Sequence, residues 1–131
     1  MTAYTDLMAF QRETEALGQI AGRLGWDQET MMPRGAADQR GEEMAALQSV
    51  LHARRTDARI GDWLSTIESA TLDPVAAAQV REITRSFQRN TKVPTKLAAE
   101  IARVTSKSQG EWAEARSNED VKAFIPTLER V

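Results

Sequence analysis

The chain has 131 residues, a formal net charge of -2, and 41% hydrophobic and 27% charged residues, which is typical of a soluble globular protein. The lack of cysteine excludes disulfides, thiol catalysis and metals ligated by cysteine. The slightly negative net charge provides no positive electrostatic field for binding nucleic acid. No run of about eighteen apolar residues and no leader-like N-terminus occur, so we expect a cytoplasmic protein outside the membrane.

The N-terminal part of the chain predicts two amphipathic helices joined by a bridge. Gly25 is expected to end the first helix, because glycine reaches the left-handed conformation without strain. Pro33 lacks an amide donor, so the bridge is predicted over residues 26–34 and the second helix over residues 35–54. The first helix carries apolar residues and one threonine at three- and four-residue steps, namely Leu7, Phe10, Thr14, Leu17, Ala21 and Leu24. The expected buried side of the second helix is Ala37, Met44, Leu47 and Leu51.

The rest of the chain predicts three to four further helices. A short segment over residues 58–69 is followed by a helix that starts at Asp73-Pro74, since Asp can cap and Pro is tolerated in the first turn. That helix should end near Asn90 after burying Ala76, Val80, Ile83 and Phe87. Because no segment alternates apolar and polar residues with the period of a strand, the predicted fold is all-α, a bundle of five to six antiparallel-type helices.

The last two predicted helices carry the C-terminal apolar pattern. Pro94 opens the fifth helix, which has Leu97, Ile101, Val104, Ser108 and Trp112 along one side. The sequence of residues 117–120 resembles a capping box before a sixth helix with Val121, Phe124, Ile125 and Leu128. Pro126 should kink that helix, yet the apolar spacing continues to Val131. A natural terminus more often frays into polar residues, so this pattern favours a piece of a longer polypeptide.

A metal centre is not expected in this chain. A zinc peptidase helix needs two histidines four residues apart with a glutamate between them, whereas His52 is the single histidine. His52 is expected near the end of the second helix, where the helix dipole favours a charged imidazolium or the ring can donate to the last carbonyls. Metal ligation or catalysis is the alternative.

Two clusters of charged side chains are interpreted as solvent-exposed helix faces. Glu111 and Glu114 share a helix face, but basic side chains lie within a turn or two, so ion pairing is preferred over acid-base catalysis. Arg81, Arg85 and Arg89 stack at four-residue steps and could meet phosphates or acidic side chains. Intramolecular pairing is the preferred interpretation, because no aromatic residue is interleaved with them.

The adjacent residues Trp26 and Asp27 are the remaining candidates. Asp27 is expected to accept backbone amides or to pair with Arg40 of the next helix, and Trp26 to bury its ring. A helix–helix corner is preferred over a substrate contact, because a tryptophan, a proline and a buried acid usually fix geometry.

Two blocks of sequence resemble the carboxypeptidase Taq family of metallocarboxypeptidases. The first runs from Leu24 to Pro33 and continues with Gly35-Ala36 and Arg40, similar to the early motif of that family. The second is similar to the family's later N-terminal helices and consists of Val93-Pro94, Leu97, Trp112, Ala115-Arg116, Phe124, Pro126, Leu128 and Val131. Together the blocks cover nearly the whole chain.

The resemblance implies that residues 1–131 are a single helical N-terminal domain of a larger all-helical metallopeptidase, which removes residues from peptide C-termini. In the family, a His-Glu-x-x-His helix and a further glutamate hold zinc or another divalent metal, and those residues lie beyond this chain. The chain is therefore expected to contain no catalytic and no metal-binding residue, to bind no cofactor and to be inactive alone. Its matching residues are interpreted as a structural motif, namely Trp26, Asp27, Thr30, Met32, Pro33, Gly35 and Arg40.

The resemblance implies peptide substrates and possible homodimerisation. From charge and apolar pattern, neither nucleic acid nor a membrane is expected as a partner. The alternative is a self-contained helical protein-interaction module that exposes Trp63, Trp112 or Phe124 as contacts. Nucleic-acid binding through the three stacked arginines ranks last.

Overall fold

Six α-helices make up the computed structural model, which describes residues 2–131 apart from the side chain of Ala70. The helices are α1 (Ala3–Thr30), α2 (Ala37–Arg55), α3 (Ala58–Thr66), α4 (Pro74–Asn90), α5 (Thr95–Ser117) and α6 (Val121–Arg130). Single 3-10 turns occupy Arg34–Ala36 and Ser69–Thr71. The described residues contain no strand, which confirms the predicted all-α class, and none of their helices has the length and apolarity to cross a membrane.

The boundary of the first helix differs from the prediction. Gly25 does not end α1, which continues through Trp26 to Thr30, so the predicted bridge is reduced to residues 31–33. Residues 26–30 contain neither proline nor glycine, and the helix stops only where Pro33 withholds an amide hydrogen. The second helix begins later than predicted for the same reason, because a 3-10 turn follows Pro33.

Helices α1 and α2 run antiparallel, with the last turn of α1 beside the start of α2. The guanidinium of Arg40 in α2 bonds Asp27 near the end of α1. At the other end of α2, Arg54 Nη2 lies 3.1 Å from Glu13 Oε2 of α1. These two ion pairs lie three to four turns apart on each helix and fix the register of the two helices.

Helix α5 lies antiparallel along α2, and small residues form the seam between them. Gly41, Ala45, Ala98 and Ser106 are all buried. A Cβ atom on Gly41 would lie 3.2 Å from the Cγ of Lys107, so α5 comes close because position 41 has no side chain.

The buried face of α2 differs in part from the predicted one. Leu51 is buried as expected, whereas Ala37, Met44 and Leu47 are only half-buried. The fully buried positions are those of small residues at the α5 seam, together with Leu51 and His52.

The main apolar core joins α1, α3 and α4. Leu7, Phe10 and Ile60 are buried at its centre. The ring of Trp63 packs against Phe10 with centroids 5.6 Å apart. The partly buried residues around this centre are Trp63, Leu64, Ile67, Ile83 and Phe87.

The start of α4 follows the sequence prediction closely. Asp73 Oδ1 accepts hydrogen bonds from the backbone amides of Val75 and Ala76, and Pro74 occupies the first turn. Helix α4 ends at Asn90, as predicted, while α3 ends at Thr66, three residues earlier than predicted.

Helix α6 folds back onto the C-terminal half of α5. Glu119 takes a positive φ of 53° in the turn, and Asp120, not Ser117, caps α6 by accepting from the amide of Ala123. Pro126 lies inside α6, which continues to Arg130.

Candidate functional site

The corner between α1 and α2 is built by the last turn of α1. The amides of Met31 and Met32 both donate to the carbonyl of Asp27, each at 2.9 Å. The hydroxyl of Thr30 donates to the carbonyl of Trp26 at 2.7 Å. Carbonyls at a helix end need partners, and these bonds supply them where the chain leaves the helix.

The guanidinium of Arg40 closes the corner from α2. Its Nη2 donates to Asp27 Oδ2 at 2.6 Å, its Nη1 to the carbonyl of Leu24 at 2.5 Å, and its Nε to Glu43 Oε2 at 2.9 Å. The Arg40 side chain is 11% exposed, and the hydrogen bond to Asp27 raises its pKa above the ordinary value. Of the two roles considered for Asp27, the side chain pairs with Arg40. This network is suited to holding two helices together.

Trp26 projects away from the Arg40 network of the corner, and its predicted burial is wrong. The residue is 65% exposed, and the nearby Met31 is 71% exposed. Because α1 continues past Gly25, each residue turns by about 100° from the last, which directs Trp26 away from the side on which Asp27 meets α2. The corner therefore presents an aromatic ring outward.

Gln28 connects the same corner to α5, a contact that sequence reasoning missed. Its Nε2 donates to the carbonyl of Ser106 at 2.7 Å, and the Ser106 hydroxyl donates back to Gln28 Oε1 at 3.0 Å. The partners are far apart in sequence, and no local pattern marks such a pair. The last turn of α1 thus contacts both α2 and α5.

Two of the remaining motif residues, Met32 and Gly35, line an open groove beside the corner, together with Arg34. Met32, Arg34 and Gly35 face the C-terminal half of α5 and part of α6 across a cavity of about 780 Å³. Arg34, which is exposed, pairs with Glu114 of α5. The groove is open to solvent, and two ion pairs lie along it, Arg34 with Glu114 and Lys107 with Asp38.

Two glutamates of α5, Glu111 and Glu114, have pKa values lowered by their partners. The hydroxyl of Thr127, then Arg130, lowers the pKa of Glu111, and Arg34, then Asn118, lowers the pKa of Glu114. A general acid near neutral pH needs a raised carboxyl pKa, so these groups fit ion pairing. The structure agrees with the ion-pair interpretation, although Arg34 and Arg130 were not the basic residues expected from sequence.

His52 is buried between three helices. Its Nε2 lies 3.3 Å from the carbonyl of Asn90 in α4, and its Nδ1 lies 3.2 Å from the hydroxyl of Thr95 in α5. A carbonyl only accepts, so Nε2–H donates to Asn90, and in a neutral ring Nδ1 accepts from Thr95. Both ring nitrogens are occupied within the fold. The carbonyl that His52 meets belongs to α4 and not to its own helix.

The three stacked arginines of α4 lie on an exposed face. Arg81 and Arg85 lie 3.3 and 3.9 Å from the carboxylate of Glu82, and Arg89 is also exposed. The contacts of Arg81 and Arg85 with Glu82 agree with the predicted intramolecular pairing for these two arginines.

Comparison with known proteins gives the class of the molecule. Residues 6–131 match the carboxypeptidase Taq (M32) metallopeptidase family, and the chain belongs to that family. Thermostable carboxypeptidase 1 of Thermus thermophilus is 42% identical over 133 residues, which cover 98% of this chain and 26% of that protein. The crystal structure of BsuCP has a TM-score of 0.92 and 20% identity over 99% of this chain and 27% of its own, which shows the shared fold. The chain thus spans about a quarter of the length of these two proteins.

The family is one of metallopeptidases, but the described residues do not fit a metal ion. Within residues 2–131, no group of three or more histidine, cysteine, aspartate or glutamate side chains is placed to hold one. The single histidine directs both ring nitrogens to protein groups. Of the groove acids, Glu114 pairs with Arg34 and Glu111 with Arg130.

Proposed function

We propose that residues 1–131 form the single helical N-terminal domain of a metallocarboxypeptidase that hydrolyses C-terminal residues from peptides. The observation that carries this proposal is the family match along residues 6–131, by a chain that spans 26% of a curated carboxypeptidase. In this proposal the corner between α1 and α2 is scaffold. Its motif residues are Trp26, Asp27, Thr30, Met32, Pro33, Gly35 and Arg40.

The catalytic ion of the whole enzyme, zinc or another divalent metal, is held by polypeptide outside these residues. The chain alone is inactive and binds no catalytic metal. Two features support this assignment. Glu114 and Glu111 of the groove pair with Arg34 and Arg130, and the His52 ring is engaged by Asn90 and Thr95. The whole enzyme acts on peptides in the cytoplasm, and homodimerisation is the assembly expected of it.

The decisive experiment reads the gene beyond the codon for Val131. We expect an open reading frame that encodes a His-Glu-x-x-His sequence, and a stop codon or the lack of that sequence would remove the proposal. Calorimetry of the 131-residue chain with zinc should show no stoichiometric tight site. Release of C-terminal residues from peptides by the purified chain alone would contradict the proposal that this chain is inactive without the rest of the enzyme.

A self-contained interaction module is the second candidate, and the exposure of Trp112 favours it. Trp63 is not available as a contact, because its ring packs on Phe10 in the core. Phe124 is half-buried beside Trp112. This candidate requires the open reading frame to end with these helices, so the same gene reading distinguishes it from the first.

A further inference from the structure

An apolar stripe runs along α5 and continues onto α6 at the surface of the chain. On α5, Leu97, Ile101 and Trp112 lie on one side of the helix and are 50%, 51% and 44% exposed. On α6, Val121, Ile125 and Leu128 follow at four- and three-residue steps and are all exposed. We call these six residues the α5–α6 stripe.

The stripe lies away from the contacts that α5 and α6 make within the chain. Helix α5 meets α2 through the small residues Ala98 and Ser106, and α6 meets α5 through Thr127, which is buried and donates to Glu111. A helix of a soluble protein normally buries its apolar side. Here the most apolar side of two consecutive helices is directed outward instead.

The size of the stripe separates it from scattered surface residues. From Leu97 to Trp112 it extends about 22 Å along α5, at the 1.5 Å rise per residue of a helix. At the junction with α6, Trp112 and Phe124 line a groove of about 460 Å³, and the guanidinium of Arg116 lies 5.9 Å from the Trp112 ring centroid. Exposed apolar side chains on one face of both helices, with an aromatic residue beside a groove and an arginine at its edge, are features of an interface.

We propose that the α5–α6 stripe is the surface on which the remaining polypeptide of the metallocarboxypeptidase packs, through an apolar helical face of its own. This inference rests on the proposed function. Two proteins match this chain almost from end to end, yet the match covers only 26% and 27% of their lengths. Each therefore has enough additional polypeptide to cover a face of this extent. The occupant proposed is therefore a further part of the same enzyme, and a second copy of these helices is the alternative that the test distinguishes.

The test co-expresses this chain, carrying an affinity tag, with the polypeptide of Thermus thermophilus thermostable carboxypeptidase 1 that lies outside the matched region. Ile125→Asp introduces a charge into the stripe at a residue 46% exposed, and the control Ile20→Asp does so on α1 at a residue 44% exposed. We expect the unsubstituted chain and the Ile20→Asp variant to recover the relative's polypeptide equally. Recovery should fall about tenfold with Ile125→Asp, because the substitution places a charge among apolar side chains that would be buried in the complex.

Leu97→Asp, at the opposite end of the stripe, serves as a second variant in case a charge at position 125 unfolds α6. Circular dichroism of the tagged chains checks that each variant remains helical. The proposal is overturned if the unsubstituted chain recovers nothing, or if neither Ile125→Asp nor Leu97→Asp reduces recovery. A dimer of the isolated chain in sedimentation, dissociated by Ile125→Asp, would make a second copy the occupant and would also overturn it.

Peptide hydrolysis by the recovered complex, compared with hydrolysis by the relative's polypeptide alone, tests the proposed function separately. Recovery that depends on Ile125 without hydrolysis would keep the docking surface and remove the carboxypeptidase assignment. If the complex hydrolyses peptides but its recovery does not change with substitutions in the stripe, the carboxypeptidase assignment stays and the docking surface is removed.

Discussion

Arg40 and Asp27 join the two helices of the N-terminal corner through a contact of 2.6 Å between Nη2 and Oδ2. The arginine is the more buried partner, at 11% side-chain exposure against 39% for the aspartate. It also bonds the carbonyl of Leu24 and the carboxylate of Glu43. Arg40 is therefore the residue on which the corner depends, and Asp27 is one of its three anchors.

Replacing Arg40 by methionine should destabilise the chain more than replacing Asp27 by asparagine. The first change removes three hydrogen bonds at a nearly buried site and is expected to cost about 2 kcal/mol. The second leaves a solvated neutral amide and is expected to cost about 0.5 kcal/mol. Urea unfolding of both variants measures the difference. Arg34→Met, at an exposed arginine paired with Glu114, is the matched control, and a cost as large as that of Arg40→Met would contradict the prediction.

Glycines in α1 and α2 should respond oppositely to substitution. A Cβ atom added to Gly22 would have no neighbouring atom within 4 Å, so Gly22→Ala should stabilise the chain by about 1 kcal/mol through helix propensity. Gly41→Leu places a large side chain at the seam, where Lys107 already lies 3.2 Å from the Cβ position. We expect it to cost about 2 kcal/mol by forcing α2 and α5 apart. Thermal unfolding measures both, and a stabilising Gly41→Leu would show that the seam is not closely packed.

His52 should act as a structural link between α2, α4 and α5. His52→Leu keeps much of the volume but leaves the carbonyl of Asn90 without its donor, with an expected cost of about 2 kcal/mol. Thr95→Val removes only the bond at Nδ1 and should cost about 0.5 kcal/mol, since Thr95 is exposed. Guanidinium unfolding tests this order. A His52→Leu variant as stable as the unsubstituted chain would remove the structural role.

Asp57 should contribute stability that is lost in acid. Hydrogen bonds from the Arg59 side chain and then from its backbone amide lower the pKa of Asp57 from 3.8 to about 2. Because the pKa is lower in the folded chain, the contribution is complete above the unfolded value of 3.8 and disappears as the pH falls towards 2. After allowance for solvent screening it amounts to about 1 kcal/mol.

Asp57→Asn provides the control for this pH dependence. Asparagine keeps an oxygen that can cap α3 but does not titrate. Free energies of unfolding measured from neutral pH down to about pH 2 should therefore converge for the two chains in acid. Parallel curves with a constant separation would contradict the assigned pKa.

The sequence predicted the all-α class and most helix starts because these depend on local signals. Asp73 followed by Pro74 is one example, since a side-chain acceptor and a proline act within one turn. The end of α1 was predicted wrongly because Gly25 permits a helix end but does not force one, whereas Pro33 does.

The choice of packing face could not be predicted from apolarity alone. Helix α5 contacts α2 through Ala98 and Ser106, which allow close approach, while the larger Leu97 and Ile101 face outward. Likewise, the reciprocal bonds between Gln28 and a serine of α5 depend on tertiary arrangement. The scaffold role of the motif residues remains a prediction, for which Arg40 offers the sharpest test.

The bonds of Gln28 with Ser106 have a consequence for how the chain opens. The last turn of α1 contacts both α2 and α5. Exchange of amide hydrogens with solvent in these three helices should therefore require that all three open together. Helix α6 contacts chiefly α5 and should exchange sooner through independent fraying. Slow amide exchange would then identify α1, α2 and α5 as one cooperative unit, and faster exchange would identify α6 as a helix of lower local stability.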